Sequence, residues 1–296
     1  DEVDEPIEML SEQMDFVDTE SAFPVFFDSE EREVALPRTE ESTGVGFEDF
    51  DADVVDPDLP VEEQIEIDME RRDMTIGSIG IDARDGELVD PMNGRDDVLD
   101  RKIEPVSEAF KEDPVRMLRA ARFGPRLDFD IDEQIYEWGP EMRDGVEAVP
   151  DERVVKELDK TLYQADNPGR FFELLDDFDL LDVAFPAVDN TLGSVSESVN
   201  QVRDRTDEED VLYAAIGAGL GQNVDEFADS HSLSNDKVEA AAFGSRMAEK
   251  DQLDTDDLLR IAERISDGRI FGVERIIDLI VAQSDGSEQL EPELRE

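Results

Sequence analysis

The apolar positions change period about a third of the way along the chain. Before residue 105 they come in short runs. Phe23-Pro-Val-Phe-Phe27 and Arg32-Glu-Val-Ala-Leu-Pro37 read as two β-type segments separated by a charged turn. Residues 38–64 carry no apolar period and predict a long polar loop. A helix is predicted from Val61 towards Thr75, and residues 79–90 predict a hairpin with Asp85-Gly86 at its turn. Beyond residue 105 the period becomes helical. Asp113-Pro114 is a helix start, with Asp as N-cap and Pro at the first helical position. Val154, Leu158 and Leu162 recur at four-residue spacing, and Phe171, Leu174, Leu175, Phe178 and Leu181 form a second stripe. Ile270 to Val281 predicts a core helix, and the polar last ten residues predict a frayed end. No internal repeat stands out. The expected fold class is α+β: a βαβ-type head followed by an all-helical tail.

Composition changes the picture in one respect. The 296 residues hold 82 acidic and 28 basic side chains, a formal net charge of −54, with only six lysines. Hydrophobic content of 39% still permits a core, so this is not the composition of a disordered chain. The acids are spread along the whole length. In dilute buffer such a surface repels itself. At about 1 M salt the screening length falls to roughly 3 Å and the repulsion largely vanishes. The acidity therefore predicts a life in molar salt and says little about the ligand. The absence of cysteine excludes disulfides, thiolate nucleophiles and cysteine metal sites. No apolar run approaches the roughly 18 residues of a membrane span, and no secretory leader opens the sequence. A cytoplasmic protein with no membrane partner is expected.

Against that background Val115 to Leu127 is exceptional, with four arginines and no carboxylate. On a helix, Arg116, Arg119 and Arg122 at i, i+3 and i+6 would form a ridge about 9 Å long, comparable with a nucleoside triphosphate. Guanidinium groups so placed suit phosphate. Asp113 accepts hydrogen bonds and Arg116 donates them, so the pair can present both functions to the edge of a base. The plainer possibility is an N-cap aspartate with surface arginines paired to acids. A second cluster, Arg71-Arg72-Asp73, could grip phosphates and a ribose hydroxyl, or be a routine ion-pair cluster. Asp90-Pro-Met-Asn-Gly94 is a turn with its chemistry in place, Pro fixing φ and Asn-Gly supplying positive φ.

Taken in order, R-R-D-M-T-I (71–76), V-D-P-M-N-G (89–94), E-D-P-V-R-M-L-R-A-A-R-F (112–123) and E-R-V-V-K-E-L (152–158) resemble class II tRNA nucleotidyltransferases, the CCA-adding enzymes. Bacterial poly(A) polymerases share that core. F-P-V-F (23–26) and V-A-L-P-R-T-E-E-S-T-G-V-G-F (34–47) favour the CCA-adding branch. The resemblance runs from about residue 6 to 188, with weaker similarity towards 285. It implies a nucleotidyltransferase β-sheet head at 1–104 lacking its first strands, an all-α neck at 105–165 that selects the nucleotide, and an all-α, RNA-binding body at 166–296. It implies base reading by Asp113 and Arg116 and further nucleotide contacts by Arg119, Arg122, Arg72 and the ribose-facing Asp73. The segment Arg38 to Gly46 matches the family's mobile loop. The implied reaction is template-independent addition of C and A to the 3′ end of tRNA from CTP and ATP, with Mg²⁺ as cofactor and the tRNA acceptor arm as partner. Poly(A) polymerase, a non-catalytic nucleotide- or RNA-binding relative of the fold, and an acidic structural protein without a nucleotide site are the alternatives.

The sequence departs from the family pattern in three places. Neither the phosphate-binding Gly-Gly-x-x-Arg-Asp nor the metal-binding Asp-x-Asp is present, and both are expected upstream of Pro6. Asp51-Ala-Asp53 has the right letters, but it falls in the predicted loop on the wrong side of the motif series and reads as a solvated acidic turn. Gly77 stands where the family usually carries Asn, which is expected to loosen that helix end or the hydroxyl-binding network. Ala218 and Gly219 stand where some relatives carry a His-Asp phosphohydrolase pair, so that activity is not expected. His231, the one histidine, is expected in a loop or at the surface, and Trp138 in packing.

Overall fold

The computed structural model describes residues 15–17, 25–42 and 50–248. They fall in two compact units, Asp1–Arg116 and Met117–Glu296. The predicted 270–281 helix and the C-terminal end lie outside the described residues, as do Phe23, Pro24 and residues 43–49.

In the first unit, strands β1 (Asp15–Val17), β2 (Val25–Phe27) and β3 (Glu33–Val34) form an antiparallel sheet in that order. Phe26 lies opposite Phe16 on one side and Val34 on the other. The charged turn between β2 and β3 is built by Asp28, whose Oδ1 accepts from the backbone N–H groups of Glu30 and Arg32. All pairings described in this unit's sheets are antiparallel, so the βαβ expectation gives way to hairpins.

The predicted polar loop at 38–64 is also corrected. β4 (Arg38–Ser42) and β5 (Phe50–Val54) pair from Arg38↔Val54 to Ser42↔Phe50. A polar two-stranded ribbon needs no buried face, so alternation could not reveal it. Asp51-Ala-Asp53 accordingly sits on a strand, facing Glu41 to Thr39 across the ladder, and not in an acidic turn. The following helix, Val61–Glu70, has Pro60 before it and Glu62 and Glu63 in its first turn, where carboxylates suit the helix dipole. It ends five residues short of Thr75. There the backbone pairs elsewhere: Thr75 N donates to Glu104 O and Met74 bridges to Pro105.

The hairpin at 79–90 forms as expected, β6 (Gly80–Ile81) on β7 (Leu88–Val89), with Gly86 at φ 79° in its turn. In the Asn-Gly turn it is Asn93 that takes positive φ (58°). Gly94 is needed for a different reason: a Cβ there would lie 2.0 Å from the Thr75 carbonyl oxygen.

The helix Val115–Leu127 crosses from the first unit to the second. In the second unit, the helix Asp151–Gln164 buries Val154, Leu158 and Leu162 as the stripe predicts. Phe171, Leu174 and Leu175 are buried along Gly169–Asp177. Phe178 caps that helix, Asp179 turns left-handed (φ 61°), and Leu181 opens the next short helix. Trp138 is packed, 7% exposed.

The helix Glu209–Leu220 is buried from Val211 to Gly217 and again at Leu220. It packs against Leu192–Arg203 and Asn235–Ala248. Small residues make this possible. A Cβ on Gly217 would stand 1.8 Å from Ala241 O, and one on Gly244 1.7 Å from Ala214 O. Gly219 lies against the Val195 backbone. The Ala218-Gly219 pair thus belongs to a helix crossing. Gly217→Val must push the two helices apart, and a loss of about 3 kcal/mol in urea unfolding is expected.

His231 lies in a turn, as one half of the expectation has it, but is buried and not at the surface. It is 5% exposed and stacks on Phe185 at 4.9 Å between centroids. Its Nε2 donates to Ala184 O at 2.9 Å, and Nδ1 lies near Ser230 Oγ and Phe227 O. The imidazole fills an aromatic cluster while its Nε2–H satisfies the Ala184 carbonyl, which a single-residue reading could not anticipate. Among the described residues no helix is long and apolar enough to cross a membrane.

Candidate nucleotide site

In the first unit the R-R-D cluster is organised by a residue the motif does not contain. Asp68 Oδ1 accepts from Arg71 Nη2 at 2.8 Å and from Nε at 3.2 Å, and Oδ2 accepts from Arg72 Nη2 at 3.0 Å. Asp68 Oδ1 also takes the backbone N–H of Arg38 at the base of the β4–β5 hairpin. Burial works against its ionisation, but the Arg71 and Arg72 guanidiniums outweigh it and hold the carboxyl below its ordinary range. The signal was present in the sequence: an acid three and four residues before two arginines on one helix.

Arg72 further donates from Nη1 to Gly77 O at 2.7 Å. A Cβ on Gly77 would meet Asp73 Oδ1 at 3.7 Å, an ordinary contact, so glycine is not demanded there by space. Asp73 Oδ1 accepts from the Met74 N–H at 2.9 Å. Asp68, Arg71 and Arg72 line a cavity of about 590 Å³ whose apolar wall includes Val25, Ile65 and Met69.

Asp113 caps its helix as predicted, Oδ1 accepting from Val115 N at 3.0 Å. Arg116 is buried, 8% exposed. Its Nη1 donates to Ala109 O at 2.8 Å and its Nη2 to Arg71 O at 2.7 Å. These two bonds leave part of a five-donor fork available while fixing its plane. They also tie together two motifs that lie 45 residues apart in sequence.

In the second unit, Arg119 is half-buried and Arg122 is 3% exposed. Arg122 Nε donates to Glu157 Oε2 at 2.5 Å, and its Nη1 lies 3.5 Å from Gln164 Oε1. Its guanidinium carbon sits 4.0 Å from the Phe123 ring centroid, with Arg119 at 5.6 Å and Arg126 at 5.5 Å from the same ring. Glu157 also accepts from Lys160 Nζ at 2.7 Å. Burial works against charge on Glu157, yet Lys160 and Arg122 keep its carboxyl below the usual range. Burial pulls Arg122 down, reinforced by Arg119 and Arg126, but a guanidinium stays protonated. So the arginine ridge is not a solvated surface: Arg116 and Arg122 are both turned inward. Glu157 was missed, although a carboxylate between Val154 and Leu158 on an apolar stripe was the available sign.

Among the described residues no three His, Asp or Glu side chains are grouped to hold a metal ion, and Asp53 is exposed.

A strand-containing first unit followed by a helical second unit, with an R-R-D cluster tied to a capped arginine helix, defines a nucleotidyltransferase-type architecture. The family profile described as "Poly A polymerase head domain" matches residues 14–104, and that described as "Probable RNA and SrmB- binding site of polymerase A" matches 128–192. The Multifunctional CCA protein of Nitrosococcus oceani is 41% identical over 175 residues, 58% of this chain and 41% of that protein. The CCA-adding enzyme of Coxiella burnetii is 31% identical over 246 residues, 80% of this chain and 63% of the relative. The chain thus spans about two fifths to three fifths of the length of these relatives. The solved structure of the Bacillus stearothermophilus CCA-adding enzyme in complex with CTP shares the fold, with a TM-score of 0.73 at 21% identity, over 98% of this chain and 70% of that one. The chain belongs to the family of CCA-adding enzymes and poly(A) polymerases.

Proposed function

We propose that this protein adds C and A to the 3′ end of tRNA from CTP and ATP without a template. The RNA 3′-hydroxyl oxygen bonds to the α-phosphorus, the bond to pyrophosphate breaks, and the hydroxyl proton is lost. Cytosine and adenine each present an exocyclic amine beside a ring-nitrogen acceptor. Asp113 accepts from the amine and an N–H of Arg116 donates to the ring nitrogen, a pattern that guanine and uracil reverse. Arg72, Arg119 and Arg122 take phosphate or sugar oxygens, and Asp73 faces the ribose. Head 1–104, neck 105–165 and body 166–296 remain the proposed division. The tRNA acceptor arm is the RNA partner, and the cytoplasm is where that substrate resides. Mg²⁺ is the metal that nucleotidyl transfer uses. The described side chains do not form a set that would hold it. The acidity is read as adaptation to molar salt.

The observation that carries this reading is the Arg116 guanidinium, buried and fixed by the carbonyls of Ala109 and Arg71. A donor fork held in one plane can discriminate bases where a mobile one cannot. The test is incubation with tRNA lacking its tail, CTP, ATP and Mg²⁺ at high KCl. Addition that stops after C-C-A supports the proposal. A long A tract supports the poly(A) polymerase reading instead. Nucleotide binding without addition supports a non-catalytic relative. Arg119→Ala is expected to weaken CTP and ATP binding about tenfold, as loss of a charge-assisted bond does, and unchanged titration calorimetry would count against the site.

A further inference from the structure

Resting on that reading, we infer that Asp68 is a positioning residue for base selection. Its carboxylate fixes the end of the helix Val61–Glu70, and the Arg71 carbonyl at that end holds the Arg116 guanidinium in plane. Asp68 lies outside the R-R-D motif and has no part in the contacts proposed for the nucleotide. The helix has no basic residue in its last turn, and Arg71 is its C-cap. The guanidiniums of Arg71 and Arg72 return to that turn because an acid stands three and four residues before them. There they also suit the negative end of the helix dipole.

The Asp68 side chain is 14% exposed. Its Oδ1 accepts from Arg71 Nε and Nη2 and from the Arg38 backbone N–H, and its Oδ2 accepts from Arg72 Nη2. One carboxylate thus holds two like charges side by side. Without it they would repel each other in a half-buried place, where Coulomb forces are stronger than in water. Arg71 would then lose the tie that sets its main-chain direction. That direction matters because Arg71 O accepts from Arg116 Nη2 at 2.7 Å. The other hold on Arg116 is Ala109 O, 2.8 Å from Nη1, in the short turn Glu108–Glu112. One carbonyl fixes a single nitrogen; two, on different nitrogens, fix the plane of the fork. Rotation of that plane moves the N–H offered to the ring nitrogen and reduces the difference between cytosine and uracil. Arg72 keeps a hold of its own on Gly77 O at 2.7 Å, so its proposed phosphate contact depends less on Asp68.

The test uses the full chain at about 1 M KCl, where surface charges are screened, and compares CTP with UTP by titration calorimetry. Asp68→Asn keeps the size of the side chain and removes its charge. It is expected to lower the CTP-to-UTP affinity ratio about tenfold, mainly by loss of CTP affinity. Asp68→Glu, which restores a carboxylate within reach of both guanidiniums, is expected to return most of the ratio. Arg71→Met keeps the acceptor carbonyl but releases the residue from Asp68, and a fall of about threefold is expected; this variant decides the question if Asp68→Asn does not fold. An effect confined to stability would weaken both nucleotides together. Because Asp68 acts through Arg116, adding Asp68→Asn to Arg116→Ala is expected to change the ratio no further. An unaltered ratio in the single variants, or an additional fall in the double variant, overturns the inference. The hold on Arg116 is read separately by NMR, from exchange of its Nη protons with water, which is expected to quicken in Asp68→Asn. Should the unsubstituted chain fail to separate CTP from UTP, quickened exchange still supports the hold on Arg116 and sinks the base reading, whereas unchanged exchange overturns both.

Discussion

Glu157→Ala is expected to lower stability by about 3–5 kcal/mol, the usual consequence of removing one partner of a buried ion pair. Arg122 and Glu157 side chains are each 4% exposed. Deleting the carboxylate leaves a guanidinium in the interior with Gln164 at 3.5 Å as its remaining polar neighbour in that direction. The reverse deletion, Arg122→Ala, is milder, because Lys160 still pairs with Glu157 at 2.7 Å. The difference is a check on the argument: urea unfolding in which Arg122→Ala costs as much as Glu157→Ala would show that Lys160 does not compensate.

The same pair sets an acid limit. The Glu157 carboxyl in the folded chain lies below its ordinary value of 4.5, so unfolding takes up protons as the pH falls. The stabilisation is therefore complete above about pH 4.5, and it is lost as the pH drops through the folded-state value. A Glu157→Gln variant is expected to flatten that part of the stability profile.

What the residue pattern could and could not disclose follows from these contacts. Asp113-Pro114 was legible because a cap is a local device: the side chain and the N–H it satisfies are two residues apart. The stripes at 154–162 and 171–181 were legible because burial of one helix face imposes a period. The burial of Arg116 and Arg122 was not legible. Their partners are carbonyls and a carboxylate from distant segments, and only tertiary contact makes an inward arginine tolerable. The burial of His231 in its turn was not legible for the same reason: its partner Ala184 is 47 residues away. The β4–β5 ribbon escaped notice because two polar strands that pair with each other need no apolar alternation. Ala218 and Gly219, met first as a departure from a His-Asp pair, are explained by a helix crossing in which the Gly217 and Gly219 backbones closely approach neighbouring helices.

Lowering KCl from about 2 M to about 0.1 M is expected to reduce the melting temperature by at least roughly 10 °C. That corresponds to a loss of about 3–5 kcal/mol in a domain of this size. The argument compares ranges. At about 0.1 M salt the screening length is roughly 10 Å, so each surface carboxylate feels several neighbours; at 1 M it is roughly 3 Å and feels almost none. With a formal net charge of −54, those repulsions act in the compact state and relax on unfolding. The buried contacts behave differently, because the Arg122–Glu157 pair is shielded from the ions that screen the surface. Salt dependence is therefore expected to survive in Glu157→Gln, displaced to lower stability with the same slope. Sucrose at equal osmolality separates charge screening from general exclusion. Stabilisation by sucrose equal to that by KCl, or a melting temperature independent of KCl, would remove molar salt as the reason for the acidic surface. The carboxylates would then have to be explained by a cationic partner.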